Sequence, residues 1–253
     1  MKMKMAATLL AGLVVAGAMV AATYMTNASN GIEAILETTT PDPLLNPEYE
    51  IQEAQTATFA LGCFWAPDGL FGIIPGVIRT RVGYSGGTSE SPTYRNIDGH
   101  AEAIQIDFDP AIVSYKDLLQ VFWASHNPFS STIYGQYRSI IFAHNEEQMA
   151  AAESSAANLQ TLRERTPTTK IVRFELFTRA EDYHQKYRLQ GTGLLDSQLK
   201  ERFTTFEKYV DSTMVARING YVSGWGSPAR LEEEIDYFGL SDEAAAALRA
   251  MVH

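Results

Sequence analysis

Cysteine is almost missing from this chain: there is one, Cys63, in 253 residues. A lone thiol excludes an intramolecular disulfide framework and any cysteine-rich metal site, so the fold rests on its apolar core. Basic residues are also few. Twenty Lys and Arg stand against 30 Asp and Glu, a formal net charge of −10, which argues against the basic face of a nucleic-acid binder. No internal repeat is found. What remains is ordinary globular composition, 45% hydrophobic and 11% aromatic, enough for a full core in one large domain or in one domain with extensions.

The first thirty residues differ from the rest. Behind Lys2 and Lys4 runs an uncharged stretch, Met5 to Thr23, the pattern of an export signal. It is longer than most signal cores and near the lower limit for spanning a bilayer, so residues 1–29 are expected to be a signal peptide or an uncleaved membrane anchor. Export, or tethering outside the cytoplasm, follows as the expected localisation. Residues 30–54, with "ETTTPDPLLNPEYE", show no helical or strand period and are expected to be a flexible linker.

The folded domain is expected over 55–203. "TATFALG" reads as a strand ending on Gly62, with a helix from Cys63 whose first turn tolerates Pro67. "VIRTRVGYSGG" reads as a second strand. "AEAIQIDFDP" alternates with period two and sets Glu102 on the same face as Ile104, Ile106 and Phe108. Helices are predicted from a capping box at Ser114–Asp117, from Asn145, and from a second box at Thr178–Glu181 ending at Gly191. "RSIIFAH" and "KIVRFELF" read as strands between them. The alternation predicts an α+β two-layer sandwich on a mixed sheet. Residues 204–253 are expected to form a mostly helical C-terminal extension, in which "ARINGYVSGWG" is a candidate hairpin.

The thiol's position is the chemical clue. Where a strand feeds a helix, the helix's positive end and unpaired N–H groups favour thiolate and lower its pKa. An inert core cysteine is the plain alternative, since free cysteine is among the most buried residue types. Three neighbours favour chemistry. Glu102 on an apolar face would have a raised pKa and could donate a proton to a developing oxyanion, although a strand-end glutamate turned to solvent fits the pattern equally. Tyr84 in "GYSGG" and Tyr137 in "GQYRS" could hold an oxygen carrying partial negative charge. Phe64 and Trp65 offer aromatic walls to a methyl group on sulfur.

In this order, "GCFW", "VGYSGG", "PTY", "GHAE", "QYRS" and "AEDYHQ" resemble the A-type peptide methionine sulfoxide reductases, from about Thr56 to Gln190. The resemblance implies a ferredoxin-like, split βαβ fold. It implies that Cys63 attacks the sulfoxide sulfur and becomes a sulfenic acid. Glu102 protonates the oxygen with help from Tyr84 and Tyr137, and Phe64 and Trp65 house the methyl group. It further implies action on the S epimer, free or in oxidised proteins, no metal or organic cofactor, and a thioredoxin-like reductant. A monomer is expected.

The chain departs from the family in three places. No second cysteine exists to resolve the sulfenic acid, so an outside thiol is expected to do so. Between "SHNP" and "GQYRS" the loop is short and uncharged, with Asn127 where the family has aspartate and Thr132 as a partial stand-in near the substrate. Asp68 replaces the usual glutamate. His126 and His184 are expected to be structural. The altered loop also suits a catalytically weak relative that binds sulfoxide peptides or senses oxidation, and a peroxidase using the same cysteine is a further reading.

Overall fold

The computed structural model describes residue 35, residues 42–132 and residues 134–253, so the expected leader lies outside the described residues. Strand β1 (Gln55–Leu61) leads through Gly62 and Cys63 to helix α1 (Trp65–Gly72). β2 (Val77–Ser85) and β3 (Ala101–Phe108) follow, then α2 (Tyr115–Ala124), β4 (Ser139–Ala143) and α3 (Glu146–Arg163). The short strands β5 (Lys170–Arg173) and β6 (Phe177–Arg179) complete a six-stranded mixed sheet, ordered β5-β4-β1-β3-β2-β6. β1 and β2 both lie antiparallel to β3 between them; β4 is antiparallel to β1, and β5 is parallel to β4. The mixed α+β class expected from the sequence is thus present.

Local signals explain several of these elements. Ser114 Oγ accepts from Asp117 N–H at 3.2 Å while Asp117 accepts from Ser114 N–H at 3.0 Å, the predicted capping box. Asn145 Oδ1 accepts from Gln148 N–H at 2.8 Å and starts α3. Ile104, Ile106 and Phe108 are fully buried with Phe59, Leu118 and Phe122. The opposite face of β3 is covered as well, because Ala101 and Ala103 pack with Ile140 and Phe142.

Two element expectations are overturned. Residues 178–191 do not form one helix: Thr178 lies in β6, a 3-10 turn spans Asp182–His184, and only α4 (Tyr187–Gln190) is helical. Here the side chains serve β2 instead. Gln185 Oε1 accepts from Val82 N–H at 3.0 Å, and its Nε2 donates to the carbonyls of Val82 and Ala180 at 2.8 and 2.9 Å. After α5 (Leu194–Glu201) and α6 (Phe206–Val210), the candidate hairpin is in fact helix α7 (Thr213–Val222), and α8 (Pro228–Glu234) and α9 (Asp242–Met251) follow. Gly72 and Gly220 serve close packing, while Gly224 and Gly226, with φ of +87° and +81°, turn the chain after α7. A Cβ on Gly72 would meet the Ala216 carbonyl oxygen at 2.5 Å, and one on Gly220 would meet Ile73 Cβ at 2.7 Å. Helix α7 therefore lies directly against α1, the helix that follows the thiol.

Leu189, Leu195 and Leu199 share one apolar cluster with Val215, Ile218 and Leu248, so the helices on either side of residue 204 pack on one another. Two residues ahead of β1 bond to the fold. Asp42, 1% exposed, pairs with the fully buried Arg217, which also donates to the carbonyls of Ile73 and Ile74 at the end of α1. Tyr49 donates to Asp109 at 2.8 Å. Among the described residues no helix is long and apolar enough to cross a membrane.

Candidate active site

Gly62 turns the chain out of β1 with φ +106°, a conformation L side chains rarely adopt, and presents Cys63 on the surface. Helix α1 starts two residues later, with Phe64 at its N-cap position. The helix is anchored at Asp68, which is fully buried. Its Oδ1 accepts from Thr80 Oγ1 at 2.6 Å and Lys186 Nζ at 2.8 Å, and Oδ2 accepts from Lys186 N–H at 2.9 Å. The aspartate that replaces the family's glutamate thus fixes α1 to β2 and to the segment before α4.

Glu102 comes to the thiol's neighbour. It is 2% exposed, and its Oε2 accepts from Phe64 N–H at 3.1 Å, while Gln136 Nε2 reaches Oε1 at 3.5 Å. Burial pushes its pKa up to about 7, against the pull of the Phe64 amide. The carboxyl group is therefore divided between its two forms near neutrality.

Cys63 corrects one expectation. Its pKa lies above, not below, the usual thiol value: the sulfur's partly desolvated surroundings raise it first, and the negative charge of Glu102 adds to that. The Trp65 N–H and the Arg188 charge pull the other way and are outweighed. The amide at the start of an eight-residue helix does not offset the desolvation of the thiol. Protonating Glu102 removes one of the forces that hold the thiol neutral.

The aromatic residues converge on His184, which is buried among them. Trp65 Nε1 donates to His184 Nδ1 at 3.1 Å, and the Phe64 ring lies 5.0 Å from the imidazole. Trp65 also stacks on Tyr187, with 3.8 Å between centroids and 5° between planes. Tyr84 is opposite Glu102 in the β2–β3 register, but it is fully buried and its hydroxyl donates to Glu181 Oε2 at 2.7 Å. Tyr137 closes the 3-10 turn Gly135–Tyr137, beside the Gln136 that touches Glu102.

Asn127 and Thr132 hydrogen-bond within their own loop. Asn127 Oδ1 accepts from Phe129 N–H at 3.1 Å and Thr132 Oγ1 from Tyr134 N–H at 3.1 Å, so each spends its acceptor on its own loop. Asn127 instead lines a separate cavity of about 500 Å³ with Trp123, His126, Phe129 and Leu159. His126 is structural as expected, bridging the Phe122 carbonyl at 2.8 Å and Ser139 Oγ at 2.7 Å. The sequence reading missed Tyr94, Gln136, Glu181 and His184 as site residues. Tyr94, Glu181 and His184 lie inside "PTY" and "AEDYHQ", motifs that marked the resemblance but suggested no role. No group of His, Cys, Asp or Glu among the described residues is arranged to hold a metal ion.

A family model described as peptide methionine sulfoxide reductase matches residues 55–212. A peptide methionine sulfoxide reductase of Drosophila melanogaster is 40% identical over 203 residues, covering 78% of this chain and 80% of its own. Peptide methionine sulfoxide reductase A5 of Arabidopsis thaliana is 38% identical, covering 72% and 73%. Reduced Mxr1 of Saccharomyces cerevisiae shares the fold, with a TM-score of 0.52 at 24% identity over 58% of this chain and 90% of that one. With a thiol at the end of β1, a buried carboxyl group beside it and these matches along most of its length, the chain belongs to the peptide methionine sulfoxide reductase family.

Proposed function

We propose that this protein reduces methionine S-sulfoxide, free or within oxidised proteins, through a sulfenic acid on Cys63, with Glu102 as the proton relay. One observation carries the reading. The Phe64 N–H bond to Glu102 at 3.1 Å sets a buried carboxyl group with a pKa of about 7 beside the chain's only thiol. Ionised Glu102 takes the proton of Cys63, and the thiolate attacks the sulfoxide sulfur. The same proton then passes from Glu102 to the sulfoxide oxygen as it gains negative charge. The substrate sulfur is reduced by two electrons and the Cys63 sulfur oxidised by two. Oxygen and proton end on Cys63 as sulfenic acid, and methionine leaves. Phe64 and Trp65 flank the thiol and suit a methyl group bound to sulfur.

With no second cysteine in the chain, the sulfenic acid is closed by an outside thiol. That thiol forms a mixed disulfide with Cys63 and releases water, and a second thiol frees Cys63. A thioredoxin-like dithiol fits this role, with no metal or organic cofactor and with a monomeric enzyme. The order β4-β1-β3-β2, with β1 and β2 both antiparallel to the β3 between them, supports a ferredoxin-like core of the split βαβ kind. The helices after α4 are then an extension built onto it. The uncharged run behind Lys2 and Lys4 supports export or tethering, with membrane contact through that segment alone.

The test is one turnover without reductant, on epimer-resolved sulfoxide, followed by mass spectrometry. The expected result is one added oxygen on the Cys63 peptide and an equivalent of methionine from the S epimer alone. Methionine formation with Cys63 unmodified would overturn the reading.

A further inference from the structure

The cavity beside Asn127 takes no part in the reduction at Cys63, yet it lies at the same end of the sheet. Leu61, two residues before the thiol, pairs with Ser139 at the start of β4. Ser139 Oγ is 2.7 Å from Nε2 of His126, which stands just beyond α2 and lines the cavity. With neighbouring strands about 4.8 Å apart, the cavity is on the order of 15 Å from the thiol. An extended polypeptide covers that distance in roughly four or five residues.

The walls are apolar because their polar atoms are already bonded elsewhere. Trp123 Nε1 donates to Ser155 Oγ at 2.9 Å, and His126 is engaged at both ring nitrogens, by the Phe122 carbonyl and by Ser139. The side chains of Phe129 and Leu159 add only carbon. The loop that forms one wall is held in shape. Thr168 Oγ1 donates to the carbonyls of Pro128 and Ser130, each at 3.0 Å, and Arg165 donates to the Phe129 carbonyl at 2.8 Å. A preformed apolar space of about 500 Å³ lies within the ordinary range of ligand pockets.

Its charge is of one sign. Arg163 and Arg165 line it, and none of the described residues that line it is acidic, in a chain with 20 Lys and Arg against 30 Asp and Glu. The Arg165 guanidinium lies 5.3 Å from the centre of the Phe129 ring, and Arg165 is exposed, so its charge stands at the cavity edge. The complement of such a space is a large apolar side chain next to a carboxylate.

We propose that this cavity is a second subsite for polypeptide substrates, taking a large apolar residue beside Asp or Glu about four or five residues along from the methionine sulfoxide. It rests on the reduction at Cys63 proposed above and adds a sequence preference to it. The loop that builds the cavity is the one in which this chain departs from the family pattern, so the preference belongs to this chain. Contacts so far from the sulfur hold ground state and transition state alike, so they lower KM and leave kcat.

The test uses the full chain with dithiothreitol and N-acetylated peptides that carry the S-sulfoxide. A spacer of about four alanines separates it, on either side, from Phe-Asp, Phe-Lys or Ser-Asp. Each kcat/KM is divided by that for N-acetylmethionine S-sulfoxide. On one side Phe-Asp is expected to exceed Ser-Asp at least about tenfold, through KM, as burial of one large apolar side chain allows. Arg165→Glu is expected to lower the Phe-Asp value about fivefold and to raise that of Phe-Lys. Ala124→Trp, which fills the cavity from the end of α2, removes the advantage of Phe over Ser. Equal values for the three peptides in wild type, or a preference untouched by both substitutions, overturn the subsite while the reaction at Cys63 stands. A wild-type protein that reduces neither the peptides nor N-acetylmethionine S-sulfoxide overturns the subsite and the reading beneath it together.

Discussion

Replacing Glu102 by glutamine should stabilise the protein while it disables the chemistry, and the pH at which the stabilisation appears follows from the structure. The carboxyl group has an ordinary pKa of 4.5 and a folded-state pKa of about 7, raised by burial. Between these two values the folded protein holds a proton that the unfolded chain has released. The group's contribution is therefore full below pH 4.5 and is lost as pH rises through about 7. At ~1.4 kcal/mol per pH unit between 4.5 and about 7, the loss comes to roughly 3.5 kcal/mol. The side chain is only 2% exposed, so solvent screens little of it. Glutamine keeps an oxygen for the Phe64 N–H and has no proton to lose. The difference in Tm between Glu102→Gln and wild type should then widen from pH 4.5 to pH 8 by roughly 7–14 °C, at 2–4 °C per kcal/mol for a chain of this size. Thermal unfolding of both proteins across that range, with single-turnover reduction measured in parallel, is the assay. Reduction should fall on the order of 10²–10⁴-fold. Tm curves that stay parallel between pH 4.5 and 8 would show that the carboxyl group is not held neutral by burial, and the proton relay would lose its basis.

The first-turnover rate should follow a bell-shaped pH profile, rising through about 7 as Glu102 ionises and falling above the ordinary thiol value of 9.0, where Cys63 has lost its proton unaided. A steady decline through pH 7 would refute the relay. The midpoint for alkylation of Cys63 should lie above 9.0 in wild type and move down in Glu102→Gln, because the neighbouring charge that raises it is gone. Asp42→Asn should cost about 3 kcal/mol in urea unfolding, since it leaves Arg217 fully buried with one counter-ion fewer; an unchanged midpoint would mean that the N-terminal segment is not part of the fold. Asn127→Ala and Thr132→Ala should each leave single-turnover reduction within about twofold, because both side chains bond within their own loop. A tenfold loss in either would return that loop to the site.

Legibility in the sequence tracked how local the physics is. The capping box at Ser114 and the cap at Asn145 involve groups three residues apart, and both formed as read. The Thr178–Glu181 pair has the same spacing and failed, because Glu181 found Tyr84 and Tyr94 from distant parts of the chain. The glycines of "ARINGYVSGWG" suggested a turn, yet Gly220 lies within a helix that needs a bare surface to approach α1. Asn127 and Thr132 stand where the resemblance implies substrate contacts, and the acceptor of each bonds within its own loop.

By itself the sequence determined that one thiol leaves a strand on a glycine, that Glu102 shares a face with three large apolar residues, and which family's motifs surround them. Each of these follows from neighbours in the chain or from a period of two. Only the tertiary structure decided the direction of the Cys63 pKa, the capture of Tyr84 by Glu181 and the approach of Tyr94 to Tyr137. Those depend on burial and on charges brought together across some forty to a hundred residues, and Coulomb and desolvation energies depend on distance in space, not on separation along the chain.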